Sequence, residues 1–327
     1  MMWPPPCFER PRMVWEDQMG GVTTAREQHG MTRAEFGPVT VCFGDRNGKY
    51  PDGNQVIVRG TDSVAVFDTP ISANAIGPDF TNADLCILGH VHEDHMAGLH
   101  LLKGKPVYAH EADVAAARSW DALADVFGYE GAEERAASRA RFEQDFHYVE
   151  TPDAIAYKDG ATWDLGGVTV RAVHMPGHTP GHCALLVEPY GLAFIGDIDL
   201  STFGPYYGDA NSSMHDFRET LRKVRDLPAK VWVTFHHKGV YTDRQRFLDD
   251  LSTYEARFDE RDVRLLEMLR AAPQTLEQLA RGRLLYPAHF NEPWVDGVEA
   301  RSIAMHLDEL MGKGRVARDA DGRYRLA

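Results

Sequence analysis

Cysteine is scarce in this chain of 327 residues, with four in all. Cys7, Cys42, Cys86 and Cys183 are widely separated and form no CxxC pair, which argues against a zinc ribbon or a disulfide scaffold and fits a reducing compartment. No run approaches the roughly 18 uninterrupted apolar residues of a membrane span. The amino terminus, with prolines and both charge signs, lacks the apolar stretch of a secretory signal. Basic residues are outnumbered, 35 Lys and Arg against 49 Asp and Glu, and a formal charge of −14 disfavours nonspecific attraction to nucleic acid or anionic lipid. Repeats of fixed period are missing as well. What is present is an ordinary globular balance, 43% hydrophobic and 26% charged. These features predict a folded cytoplasmic protein with no membrane association, acting on a small molecule rather than on nucleic acid.

Three segments are expected. Residues 1–35 carry the Pro4-Pro5-Pro6 tract and no sustained period, so they read as an extension. Residues 36–255 alternate short β-rich runs (Val39–Phe43, Gln55–Val58, Val64–Phe67, Asp84–Leu88) with Gly, Asn and Asp clusters. An Ala-rich, charge-interspersed stretch from Glu111 to about Gln144 reads as helices, and strands return at Val168–Val173, Cys183–Val187, Leu192–Ile195 and Val231–Phe235. Such a mixture predicts sheets covered by helices, an α/β (α+β) arrangement. Residues 256–327 differ in charge, with twelve basic and twelve acidic residues, so the excess of negative charge lies upstream. There a helix around Leu265–Leu269, a capping box at Thr275-x-x-Gln278, a helix over about Val298–Met311 and a hairpin with an Asp321-Gly322 turn give a winged-helix-like outline.

Chemistry concentrates at four places. Gly89-His90-Val91-His92-Glu93-Asp94-His95 follows an apolar strand, and a strand-end turn can fold such a run of imidazole and carboxylate donors around a cation. Met175-Pro176-Gly177-His178-Thr179-Pro180-Gly181-His182 lies between two β runs, its Pro-Gly pairs imposing a tight path. Gly196-Asp197 and His236-His237 each follow an apolar strand. Taken singly, the last three are more ordinary turn and cap residues than ligands. Their order after the first motif carries the argument.

HVHEDH, PGHTPGH, GD and HH in that order resemble the metallo-β-lactamase-fold metallohydrolase superfamily, in its glyoxalase II-like branch, over about residues 36–250. The resemblance implies a four-layer αββα sandwich with a dinuclear metal site at one edge. It implies His90, His92 and His178 as ligands of one metal, Asp94, His95 and His236 of a second, and Asp197 as the bridge. His236 is preferred to His237 because it directly follows the strand, and His182 reads as structural. The cofactor implied is zinc, two ions per chain, with iron or manganese as alternatives. The activity implied is hydrolysis of a small thioester, ester or lactone by a metal-bridging hydroxide, with Asp94 also catalytic in orienting it and passing a proton. A phosphodiesterase or ribonuclease of the same fold, and a mononuclear iron persulfide dioxygenase, are the competing readings. Asp197 stands where antibiotic-degrading relatives carry Cys, and His92 where redox diiron relatives carry Glu. For the carboxy-terminal segment the balanced charge favours packing, pocket closure or homodimer formation over nucleic-acid binding. Tyr286 and Trp294 are candidates to reach the catalytic face, and the aromatic stretch after Asp199 to wall a pocket.

Overall fold

The computed structural model describes residues 31–290 and 292–327, together with the backbone of three short strands, Val14–Trp15, Thr23–Thr24 and Arg26–Gln28. The Pro4-Pro5-Pro6 tract lies outside the described residues. Two sheets stack face to face. The first has eight strands, from Ile155–Tyr157 at one edge through Val107–His110, Leu85–Ile87, Val64–Phe67, Gln55–Arg59, Val39–Cys42 and Met31–Phe36 to Arg26–Gln28 at the other. The second has six, in the order Thr162–Asp164, Thr169–His174, Cys183–Glu188, Leu192–Phe194, Val231–Val233 and Val240–Tyr241.

The strands are apolar on both faces because both are covered. Val56, Val58, Ala65, Phe67 and Ile87 point between the sheets with Val170, Leu185, Val187 and Val233. Their alternates Ile57, Val66 and Cys86 point outward under helices that include Trp120–Phe127 and Ala132–Phe146. On the far side Leu186, Ala193 and Trp232 pack under Met214–Val224 and Arg244–Ala271. Period-2 alternation between two cores is what makes the layers helix, sheet, sheet, helix.

Several expectations change. The extension drawn over residues 1–35 ends inside the sheet: Arg26–Gln28 and Met31–Phe36 pair antiparallel, and Phe36 and Ala34 are buried between the sheets. The boundary at 255/256 falls within one helix, Arg244–Ala271, whose buried stripe Phe247, Leu251, Tyr254 and Phe258 crosses it and, after the buried pair Arg261 and Asp262, resumes at Leu265 and Leu269 in the carboxy-terminal unit. Charge changes there, while the apolar period does not. Beyond it come Leu276–Gly282, opened by the Thr275–Gln278 capping box, Val295–Gly312, and the hairpin Val316–Arg318 with Tyr324–Leu326. The hairpin turn is longer than a two-residue Asp-Gly turn. Asp319 accepts from the amides of Asp321 and Arg323, and Gly322 takes a positive φ. No described helix is long and apolar enough to cross a membrane.

The carboxy-terminal unit is tied to the sandwich by a buried polar chain. Arg261 Nη1 donates to the Tyr207 hydroxyl (2.8 Å), that hydroxyl meets His306 Nε2 (2.8 Å), and His306 Nδ1 meets Asp262 Oδ1 (2.6 Å). Burial outweighs the Asp262 hydrogen bond and lowers the His306 pKa. The neutral ring fits the chain, accepting from Tyr207 and donating to Asp262. On unfolding the imidazole returns to about 6.5, so below that pH the unfolded state binds more protons and stability falls. The urea midpoint is expected to drop between about pH 7.5 and pH 5.5. In His306→Gln that drop should be smaller, and an unchanged slope would refute the assignment.

Candidate metal centre

The site forms where parallel strands end together. Val64–Phe67 and Leu85–Ile87 run parallel in the first sheet, and Asp68 and His90 follow them. Leu192–Phe194 and Val231–Val233 run parallel in the second, and Asp197 and His236 follow those. Carboxyl ends of parallel strands release their loops at one edge of the sheet. The loop between Thr169–His174 and Cys183–Glu188 brings in His178. Gly177 in that loop has φ +132°, and a Cβ there would lie 2.3 Å from the Phe217 amide nitrogen. Only glycine fits this path.

Three imidazole nitrogens face one another: His90 Nε2, His92 Nδ1 and His178 Nε2 are each 3.2 Å from the other two. Asp197 Oδ2 is 3.3 Å from His178 Nε2. The edge of a tetrahedron of nitrogens around a cation at about 2.0 Å is about 3.3 Å, so the donor set fits zinc. The other oxygen, Asp197 Oδ1, is 3.0 Å from His95 Nε2 and 3.7 Å from His236 Nε2. Asp94 Oδ2 is 2.9 Å from His236 Nε2, and Asp94 Oδ1 is 3.8 Å from His95 Nε2. Asp94, His95 and His236 thus make a second cluster, with Asp197 reaching both. His95 Nε2 and Asp197 Oδ1 are buried and lack hydrogen-bond geometry despite their separation, as two donors aimed at one cation would be.

His95, His236 and His178 are held from behind by hydrogen bonds, whereas His90 Nδ1 is buried without a partner. His95 Nδ1 meets Asp68 Oδ2 at 2.8 Å while the Gly89 amide donates to Asp68 Oδ1 at 2.6 Å. Asp68, His90 and His95 form a third tight grouping, but both Asp68 oxygens are engaged by these supports. Asp68 has φ +50°, strain for a non-glycine residue that the two hydrogen bonds sustain. His236 Nδ1 donates to the carbonyls of Gly48 and Asp52, and His178 Nδ1 to the carbonyl of Tyr206. His92 Nε2 lies 3.0 Å from Asp209 Oδ2, a close charge facing the ring outside hydrogen-bond geometry. Such outer partners fix the ring orientation and the tautomer that leaves the inner nitrogen free.

Charge balance follows from this packing. Burial alone would depress the His236 imidazole, but the Asp197 and Asp94 carboxylates outweigh it and raise its pKa to about 9. Burial likewise opposes the charged form of His92, and Asp209 outweighs it, again to about 9. Burial pushes Asp197 upward, while His95, His236 and His178 hold it well below the usual carboxylate range. His182 is pulled down to about 3 by burial; it bonds the Met175 carbonyl and accepts from the Asp197 amide. His237 Nε2 sits 3.5 Å from Asp199 Oδ2, outside the clusters. Of the residues singled out from sequence, His90, His92, Asp94, His95, His178, Asp197 and His236 converge, and His182 and His237 do not join them.

Above the clusters lies a cavity of about 320 Å3. One wall is Phe127 and Phe142 from the helices over the first sheet, with Tyr129 from the loop between them; the other is Phe203, Tyr206, Tyr286 and Trp294. Tyr286 and Trp294 come from the carboxy-terminal unit, which therefore closes the site. Sequence reasoning missed Asp209 and Glu93. Asp209 sits in a loop without periodicity, and Glu93 faces the cavity beside Asp94, where the Tyr50 hydroxyl donates to it at 3.2 Å.

The sequence profile of the Metallo-beta-lactamase superfamily matches residues 51–237, more than half of the chain. Over 159 residues the chain is 31% identical to an atrochrysone carboxyl ACP thioesterase of Aspergillus fumigatus, a match covering 47% of this chain and 37% of that protein. Over 140 residues it is 31% identical to a hydroxyacylglutathione hydrolase of Methylococcus capsulatus, covering 41% of this chain and 53% of that protein. The chain thus spans about a third to a half of the length of these curated relatives. A solved metallo-beta-lactamase family protein of Thermus thermophilus shares the fold, with a TM-score of 0.62 at 24% identity over 84% of this chain and 94% of that one.

Proposed function

The chain belongs to the metallo-beta-lactamase superfamily, and from that premise we propose that it is a dinuclear zinc hydrolase of a small thioester with an apolar acyl group. The observation that carries the reading is the pair of donor clusters meeting at Asp197 beneath a cavity with aromatic walls. In it His90, His92 and His178 would hold one ion and Asp94, His95 and His236 the other, with Asp197 placed to serve either. Two cations held there would supply Lewis-acid polarisation of a carbonyl oxygen and a water of near-neutral pKa.

The protein's own groups do the rest. The aromatic walls take the acyl chain and exclude water from it, and the cluster edge receives the carbonyl. The water oxygen bonds to the carbonyl carbon, the C–S bond breaks, and Asp94 passes the water's proton to the departing sulfur. The thioester class draws support from the names of the two curated relatives, which denote thioester hydrolases. The hairpin arginines Arg315, Arg318, Arg323 and Arg325 line no part of the cavity, whose arginines are Arg141 and Arg301, so the hairpin lends no support to RNA cleavage.

A panel of activated acyl thioesters, lactones and phosphodiesters tests the class. Thioester turnover is expected to dominate, and phosphodiester cleavage without it would overturn the reading. Trp294→Ala is expected to raise KM for a long or aromatic acyl thioester by about tenfold, matching roughly 1–2 kcal/mol of lost apolar contact, with kcat nearly unchanged. Equal KM values would place the acyl group elsewhere.

A further inference from the structure

The loop that follows Asp197 touches two of the three imidazoles of the first cluster. The Tyr206 carbonyl accepts from His178 Nδ1 at 3.0 Å, and the Ser212 hydroxyl donates to the His178 carbonyl at 2.7 Å. Asp209 Oδ2 lies 3.0 Å from His92 Nε2, and its other oxygen accepts from the Tyr206 hydroxyl at 3.0 Å. Asp209 is 1% exposed and His92 5%, and neither His92 Nε2 nor Asp209 Oδ2 has a hydrogen-bond partner, so this carboxylate faces the ring as a close buried charge with little competition from water.

The same loop is gripped from its other side by the carboxy-terminal half of the chain. Arg261 spans it with three hydrogen bonds, to the carbonyl of Pro205 (2.7 Å), the carbonyl of Phe203 (2.8 Å) and the Tyr207 hydroxyl (2.8 Å). Arg301 Nε donates to the Gly208 carbonyl at 2.6 Å. The helix Val295–Gly312 packs so close that a Cβ on Gly208 would lie 2.3 Å from Val298 Cγ1. Neither Arg261 nor His306 lines the cavity. The loop has few bonds of its own: of its backbone amides, those of Ser201, Gly204 and Ser212 find partners within it. Its shape is set by what holds it.

We infer that Asp209 and Tyr206 are positioning residues for His92 and His178, and that Arg261 and Arg301 hold them in register, so that the carboxy-terminal unit sets the metal affinity of a site to which it contributes no ligand. Ligand orientation is the physical link. A carboxylate behind a ligating imidazole fixes its rotation and tautomer and raises its basicity, and losing such a partner costs about 10–100-fold in metal affinity. Displacing the loop removes that carboxylate as surely as mutating it does. One aromatic wall of the cavity is assembled here, since Phe203 belongs to the loop and its ring packs, tilted, at 5.2 Å from Tyr286 of the carboxy-terminal unit.

The inference rests on the reading of His92 as a ligand, and the experiment separates the two. Full-length protein is loaded with zinc, and affinity is measured by competition against a chromophoric chelator. Asp209→Asn keeps the side-chain volume and removes the charge; a 10–100-fold loss of affinity is expected. Arg261→Leu, remote from the donors, should lose affinity by a similar factor, and Arg261→Lys should recover part of it. Thr275→Ala, which removes the helix cap of the carboxy-terminal unit away from the loop, should lower the melting temperature and leave affinity unchanged. Folded Asp209→Asn and Arg261→Lys proteins with wild-type affinity, alongside a His92→Gln protein that loses zinc, would overturn the inference and leave the site reading standing. Wild-type affinity in His92→Gln would remove the site reading itself. Equal losses in Thr275→Ala and Arg261→Leu would reduce the effect to general destabilisation and overturn the inference.

Discussion

Asp94→Asn is expected to lower kcat on an activated thioester by about 10²–10⁴-fold, the range attached to a positioned general acid or base. Asp94 is 3% exposed, lines the cavity, and its Oδ2 lies 2.9 Å from His236 Nε2. Burial opposes its charge, but His95 and His236 outweigh that and lower its pKa, so it is a carboxylate at neutral pH and able to take a proton from water. Asparagine keeps the volume and one acceptor oxygen but cannot hold that proton. The loss should therefore fall on kcat more than on KM or on the melting temperature. Metal content must be measured on the same sample, because Asp94 also belongs to a donor cluster. A fully loaded Asp94→Asn protein with wild-type kcat would exclude the proton-transfer role.

Much of this site could be read before any coordinates, for a physical reason. Ligand runs such as His90-x-His92-x-Asp94-His95 are short and follow apolar strands, so spacing and hydropathy alone place them at strand ends. The central strands were legible for the same reason, being apolar on both faces. Edge strands were not: Thr162–Asp164, with Thr162 and Asp164 exposed, carries too little apolar period to stand out. The supports were the least visible. Asp209 lies 117 residues from the His92 ring it faces, in a loop with neither strand nor helix period, and Arg261 reads locally as one more charge on a helix surface. Contacts of that kind are products of the tertiary fold. The same holds for the unbroken helix Arg244–Ala271, where a change in charge balance suggested a boundary that the apolar stripe does not respect.

Removing the metal should abolish turnover and lower the melting temperature together. Without a cation, three imidazole nitrogens sit 3.2 Å apart with no set of protons that satisfies all three contacts, and His95 Nε2 and Asp197 Oδ1 are buried without a hydrogen bond. A ligand that binds only the folded state stabilises it by about 4 kcal/mol when present at a thousandfold excess over Kd. For a domain of this size class each kcal/mol shifts the melting temperature by roughly 2–4 °C, so chelation should lower it by on the order of 10 °C. Elemental analysis of protein purified without added metal then decides between the remaining chemistries. About two zinc ions per chain agree with both clusters being filled and with hydrolysis. One iron per chain would fill a single cluster, leave Asp94 and its partners outside the inner sphere, and turn the assignment to persulfide oxidation. Full turnover and an unchanged melting curve after verified metal removal would contradict both, because neither leaves the buried donors a role.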